Sequence, residues 1–448
     1  MASSDMTFGE QLAVRLDAVC DGVALIFGSV PPRGRDLDLL VAEPEGEAVA
    51  EALRDTGWVS QGHQWACFQG SAAFGVDLIP ATSWELPDDE LRTLFDQAVA
   101  LPRLENLRRP SPHHALLILA ERTVRGDGRL PDRHRVRIGE MAAEDPGVWR
   151  KARDHAPAWS ATAALELLAA AYAGDGRVPL AARAAGLAEI LTRYGIDPLR
   201  ARAHALRAAV APQTTGAVIT FSGLDGAGKS SQAEALRDAM EALGADPVIV
   251  WTALGAHPGL DRLIAPVKGL LRAASRLGLR PSPTGPEPVL ATDDPGPVDR
   301  EGAELGRGLR ERSRLLASVW LAVLGVANGV SQRRATRAHV RRGRLVICDR
   351  WTLDSSAHLR YAYGPDSRMR VPVALIRAIS PRPLRSWLLD ISPETAYARK
   401  GEYPLEEFRR QANLYREQAD TLGVERVDGE RPAAQLSEQL ARETWLAL

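Results

Sequence analysis

The stretch GLDGAGKSSQ, Gly223 to Gln232, constrains this chain more than any other part of it. It follows the short apolar run AVITF and precedes QAEALRDAMEALG, in which Leu236, Ala239, Met240 and Leu243 recur at helical spacing. Strand, glycine-rich turn and helix, in that order, form a turn that holds phosphate. Each residue type then has a task. Backbone amides of the turn and of the helix N-terminus point at the anion. Gly223, Gly226 and Gly228 let the backbone bend and approach it. Lys229 reaches the β- and γ-oxygens of a triphosphate, the Ser230 hydroxyl can bind Mg²⁺, and Ser231 follows in the same helical turn. The chain holds 56 basic residues, and only Lys151, Lys229, Lys268 and Lys400 are lysines, so a lysine at this position stands out.

Around this motif lie five strand candidates, AVITF, PVIVW, RLVIC, SWLLDI and VERVDG, separated by helical segments. Strands alternating with helices predict an α/β domain over residues 216–448 with a five-stranded parallel sheet, whose ligands bind at the carboxyl ends of the strands. Two further elements fall at such ends. Asp349-Arg350-Trp351 follows RLVIC, where an aspartate can hold magnesium or orient an acceptor and an arginine can neutralise developing charge. AYARKGE follows SWLLDI, and Arg399 and Lys400 in it can close over bound phosphates. Residues 281–300, rich in Pro, Gly and Asp, predict a loop or lid segment.

The order of LDGAGKSSQ, DRW and LLDISPETAYARKGE resembles the thymidylate kinase-like branch of the P-loop nucleoside monophosphate kinases. The resemblance spans about residues 216–448. It implies a transferase that uses ATP and Mg²⁺, with Asp225 near an acceptor hydroxyl or the metal shell, Asp349 and Arg350 beside the acceptor phosphate, and Arg399 as the lid arginine. Kinases of this type often pair as homodimers, and no interface is legible in this chain. The acceptor side departs from the pattern: the helix LLASVWLAVLGVANGV carries no arginine to grip a nucleotide monophosphate, and LDSSAHLRYAYG replaces the segment that helps read the base. Arg337 and Arg341, within the run Arg333, Arg334, Arg337, Arg341, Arg342 and Arg344, can supply that grip or form a solvated helix end. The expected acceptor is therefore a small nucleotide-like or phosphorylated molecule, of which dTMP is one example.

The N-terminal part carries a second pattern. Residues 1–110 mix helical and strand signals, with GVALIFGS, DLDLLVA and AFGVDLIP as strands; residues 111–210 read as all-helical; APQTTG is the linker. Gly28-Ser29 ends one strand, Asp36 and Asp38 alternate on the next, and Asp77 lies on a third. Three converging carboxylates can hold two Mg²⁺ ions, one of them also drawing a proton from an acceptor hydroxyl. This resembles the DNA polymerase β-type nucleotidyltransferase superfamily, an α+β fold. The resemblance makes Asp36, Asp38 and Asp77 metal ligands, Asp77 also the base, and Gly28-Ser29 a triphosphate cradle, although only six residues separate Ser29 from Asp36. His113, His114 and His155 fall in the helical part, where no ligand spacing connects them, so core or surface packing is expected.

Composition narrows the classes. A net charge of −1 gives no reason to expect nucleic-acid binding. Cys20, Cys67 and Cys348 show no CxxC pairing. No apolar run approaches a membrane span and no signal-type N-terminus is present, so a cytoplasmic protein is expected. Two function readings follow: a kinase, bifunctional if the N-terminal carboxylates transfer nucleotidyl groups, or a regulatory module in which slow ATP hydrolysis drives a switch and the N-terminal fold is degenerate.

Overall fold

The computed structural model describes residues 7–27, 36–210, 216–252, 314–363, 370–401 and 403–448. Gly28, Ser29 and the segment 281–300 lie outside them. The chain groups into two compact units, Met1–Cys67 with Phe74–Gln213 and Phe68–Ala73 with Thr214–Leu448. No helix among the described residues is long and apolar enough to cross a membrane.

The N-terminal unit is built on a mixed sheet of β1 (Ala24–Phe27), β2 (Asp36–Val41), β3 (Val59–Gln61), β4 (Gln64–Gln69), β5 (Ala72–Pro80), β6 (Val99–Ala100) and β7 (Leu107–Arg109). Their order is β3-β4-β5-β2-β1-β7-β6, with β2 antiparallel to β1 and parallel to β5. The period-2 alternation of β1 and β2 sorts their side chains onto two faces. Ile26, Leu37 and Leu39 join Leu16, Val49 and Leu53 from the helices Phe8–Val19 and Glu43–Asp55. Leu25, Phe27 and Leu40 join a second core with Leu116, Leu117, Leu165 and Trp159. Those partners come from the helical stretch that fills Pro112–Val210, so the segments read as 1–110 and 111–210 share one core. Each fully buried large apolar side chain contributes roughly 1.5–3 kcal/mol.

The C-terminal unit holds β8 (Ala217–Gly223), β9 (Pro247–Trp251), β10 (Leu345–Asp349), β11 (Arg385–Asp390) and β12 (Glu425–Asp428). All five runs read as strands are strands. Their order is β12-β11-β8-β10-β9, and every neighbouring pair is parallel. Helices on both faces explain the continuous apolar runs of β8 and β10, whose residues are buried almost throughout. With β8 central and β10 and β11 beside it, the segments after these three strands meet at one end of the sheet. That end carries the site.

One helix contact depends on glycine. The helix Arg314–Val340 packs closely on the helix Arg370–Ile379. A Cβ at Gly325 would lie 2.7 Å from both Cα and the carbonyl oxygen of Pro372, inside van der Waals contact with backbone that cannot rotate away. Gly325→Ala is therefore expected to destabilise the protein. Overpacking costs about 1–3 kcal/mol, offset by up to about 1 kcal/mol from the better helix propensity of alanine. A urea midpoint equal to or above that of the native chain would show that the crossing is looser than this contact implies.

Candidate functional site

The turn after β8 has the shape the glycines predict. Gly223, Gly226 and Gly228 have φ of 148°, 88° and 86°, a region that residues with a Cβ avoid. At Gly223 space forbids a side chain too, since a Cβ would stand 2.7 Å from the Leu389 carbonyl oxygen on β11. Gly228 is the N-cap of the helix Lys229–Ala242 and provides no side-chain cap. The first-turn amides of that helix, which have no intrahelical acceptor, are thus not engaged by a capping oxygen. They form the positive end of the helix dipole.

Charged groups are gathered around this turn. Lys229 is 6% exposed and its ammonium donates to the carbonyls of Gly223 and Leu224, both at 2.9 Å. It also stands 3.6 Å from Asp225. Arg350 Nη2 donates to Asp225 Oδ1 at 2.5 Å. Burial works against the Asp225 charge, yet Lys229 and Arg350 outweigh it and hold the carboxyl below its ordinary range. Burial, then the Arg350 charge, lowers Lys229. Burial likewise opposes the charge of Arg350, but Tyr415, Asp225 and Asp354 prevail and raise it. Arg350 itself has φ of 76°, a left-handed conformation costing roughly 1–3 kcal/mol in a non-glycine residue. Its backbone is fixed from both sides: its N–H donates to Phe221 O at 2.9 Å, and its carbonyl accepts from the Thr252 hydroxyl. The strain buys the pairing of its guanidinium with the turn.

Asp349 ends β10 and is 7% exposed. Its Oδ2 accepts from the Ser230 hydroxyl at 2.6 Å, whereas its Oδ1 is buried with no hydrogen-bond partner among the described residues. A buried carboxylate oxygen left so is costly, and its neighbours make it suited to a cation. On the opposite side of the turn, the helix Pro393–Lys400 starts at Ser392, whose hydroxyl accepts from Thr395 N–H, and ends with Arg399 and Lys400. Arg399 Nη1 donates to Gly226 O at 3.0 Å. Lys400 Cγ comes within 3.4 Å of where a Cβ on Gly226 would be.

Most residues singled out from the motifs therefore meet: Gly223, Asp225, Gly226, Gly228, Lys229, Ser230, Asp349, Arg350, Arg399 and Lys400. Ser231 is exposed on the first turn of the same helix. Asp225 faces Lys229 and Arg350, an internal charge relation that the motif alone did not specify. The arginine run does not join them. Its helix ends at Val340, before Arg341, and residues 341–344 lead into the amino end of β10. In a parallel sheet that is the end opposite the glycine turn. Arg333, Arg334, Arg337, Arg341 and Arg342 are exposed, and Arg344 pairs with Asp246 at 2.6 Å. A cavity of about 640 Å³ is lined by Trp351, Thr352 and Leu353 from the segment after β10 and by Leu384, Arg385, Val424 and Glu425 at the amino ends of β11 and β12.

Sequence reasoning missed a support for the site. Asp354 is buried, and its Oδ2 accepts from the Ser222 hydroxyl at 2.6 Å and from Trp351 N–H at 2.8 Å. Its Oδ1 accepts from the Tyr415 hydroxyl at 2.9 Å. The carboxylate thus ties the end of β8 to the segment after β10. Its signal was an acid three residues after the Asp-Arg-Trp triplet, in an otherwise apolar and small-residue stretch.

In the N-terminal unit, Asp38 is in register with Asp77 on the neighbouring parallel strand, and Asp36 is in register with Gly75. In-register residues of adjacent strands project from the same face. Asp38 lies 3.9 Å from Arg122 Nη1, and both aspartates are half-buried. Gly28 and Ser29, read as the cradle, are outside the described residues. No protein-family model matches the chain, and no curated protein matches it.

Proposed function

We propose that the C-terminal unit is a P-loop phosphotransferase of the thymidylate kinase-like type, moving the γ-phosphoryl group of ATP to a small nucleotide-like or phosphorylated acceptor. The observation that carries this reading is the Ser230–Asp349 hydrogen bond of 2.6 Å beside the buried Lys229, at the mouth of the glycine turn. Magnesium, when bound, would neutralise phosphate oxygens; Ser230 and Asp349 are the residues that would hold it, and the unpartnered Asp349 Oδ1 fits a cation. The chain does the rest by position and charge. Turn amides and Lys229 hold the β- and γ-phosphates, Arg399 covers them from above Gly226, and Arg350, kept charged, faces the charge that spreads over the transferred group.

The test is ADP release from ATP with Mg²⁺, over a panel of nucleoside monophosphates, nucleosides, sugars and sugar phosphates. Strong stimulation by one acceptor is the expected result. Slow hydrolysis that needs Lys229 and ignores every acceptor would favour the regulatory module instead. Turnover that does not need Lys229 would sink both readings.

The N-terminal unit supports a second activity, nucleotidyl transfer, on the in-register pair Asp38 and Asp77 with Asp36 two residues before. Two carboxylates on one face are what metal-assisted attack on an α-phosphate requires. Asp38→Asn with Asp77→Asn is expected to abolish pyrophosphate release from a nucleoside triphosphate while leaving ADP release by the C-terminal unit intact. Pyrophosphate release that survives both changes would refute it.

A further inference from the structure

We propose that His113, His114 and His155 bind a divalent transition-metal ion of the zinc class, in the helical part of the N-terminal unit. The three rings come from two elements that nothing in their spacing connects. His113 and His114 sit in the first turn of the helix Pro112–Arg125, and His155 is the last residue of the helix Val148–His155. Packing brings their ring centroids within 4.3–5.2 Å of one another. One ligand nitrogen from each lies within 4.8 Å of the others. Nitrogens bound to one tetrahedral zinc ion are about 3.3 Å apart, as Zn–N bonds of about 2.0–2.1 Å require. Closing the cluster onto one ion therefore brings these nitrogens nearer to one another by at most about 1.5 Å.

The hydrogen bonds point the same way. Glu90 accepts from His155 Nδ1 at 2.9 Å, and its Oε2 also accepts from Trp159 Nε1 at 3.2 Å. Ser111 Oγ lies 2.8 Å from His114 Nδ1. These two contacts engage Nδ1 and leave Nε2 of His114 and His155 outside them, while the Ser111 hydroxyl lies 3.3 Å from Nδ1 and 3.4 Å from Nε2 of His113. A carboxylate behind a histidine is the arrangement that orients metal-bound imidazoles and raises their basicity. The independent observation is His114: the residue is fully buried, and its Nε2 has no hydrogen-bond partner among the described residues. A packing role alone leaves that nitrogen unsatisfied, at a cost of roughly 1–3 kcal/mol, whereas a metal bond removes the deficit.

Protonation state agrees with this geometry. Burial, then the neighbouring histidines, pushes His114 down to about 3; burial, then His155 and Lys151, pushes His113 down to about 4. Ligation takes the neutral ring, which burial favours. Lys151, the cation acting on His113, is itself paired with Asp145 at 2.8 Å. A donor set of three imidazoles suits zinc, copper, nickel or iron and does not suit magnesium or calcium, which take oxygen. Three protein ligands leave the fourth position for water or a substrate atom. The ion would tie the start of one helix to the end of the other, with Glu90 of the helix Asp88–Asp96 behind them.

The experiment is a Co²⁺ titration of the full chain after stripping with a chelator. Four-coordinate cobalt on nitrogen ligands absorbs strongly in the visible, whereas cobalt on the magnesium-type carboxylates is six-coordinate and absorbs weakly. The expected result is one strongly absorbing ion per chain, displaced by Zn²⁺, lost in His155→Ala and bound about 10–100-fold more weakly in Glu90→Gln. A native chain without the strong band overturns the proposal, and so does a band that persists in His155→Ala. Should His155→Ala fail to fold, the native titration and Glu90→Gln, which keeps the side-chain size, still decide it: Glu90→Gln with unchanged affinity would overturn it.

Discussion

Lys229→Met is expected to lower acceptor-dependent ADP release by about 10³-fold, with little change in stability. Methionine keeps most of the lysine stem, so the packing at the start of the helix Lys229–Ala242 survives. Removing the ammonium does not strand Asp225, because Arg350 Nη2 remains 2.5 Å from it. The catalytic loss is a matter of charge in a dry place. Lys229 is 6% exposed and donates to two carbonyls of the turn, bonds that a bound polyphosphate would replace with its own oxygens. One preorganised donor facing developing negative charge is worth roughly 10²–10³ in rate, and a full positive charge belongs at the upper end. A 10³-fold loss is about 4 kcal/mol of barrier. ADP release at saturating ATP, Mg²⁺ and acceptor, together with a thermal midpoint, checks both halves. A loss below about tenfold would mean that Lys229 does not touch the transferred group.

What could be read in the residues, and what could not, follows from whether the deciding interaction is local. AVITF and RLVIC were legible because a parallel strand covered by helices on both faces must be apolar throughout. The glycine turn was legible because its constraint is backbone conformation, which glycine alone meets cheaply at Gly226 and Gly228. The short strands β3, β6 and β7 left little signal: β3 is mostly exposed and β6 has two residues. Long-range placement was not legible. Asp354 gains its meaning only when Tyr415, far along the chain, reaches its Oδ1. The arginine run read either as a phosphate grip or as a solvated helix end until the direction of β10 put it at the amino end of the sheet. His113, His114 and His155 form a cluster only because two helices meet, and no spacing rule spans that gap. Charges near a site and charges at a site look alike in a sequence; strand direction separates them.

Asp349→Asn is expected to raise the Mg²⁺ requirement of ADP release about 10–100-fold, and at a fixed subsaturating Mg²⁺ concentration to lower the rate correspondingly. The change is nearly isosteric. An asparagine oxygen can still accept from the Ser230 hydroxyl that Asp349 Oδ2 now holds at 2.6 Å. What is lost is the negative charge, and with it the pull of the unpartnered Oδ1 on a cation. Groups that hold or orient a metal and its ligands typically cost 10–100-fold in affinity or activity when changed. A purely structural role predicts something different. Asp349 is buried at the end of a central strand, so a structural defect would lower the unfolding midpoint and the rate together, and added Mg²⁺ would restore neither. Rescue by excess Mg²⁺ therefore separates the two. If the rate falls but the Mg²⁺ dependence does not move, Asp349 supports the sheet and Ser230, and the cation must be held by other oxygens, with Asp225 the nearest carboxylate to the turn that could take it.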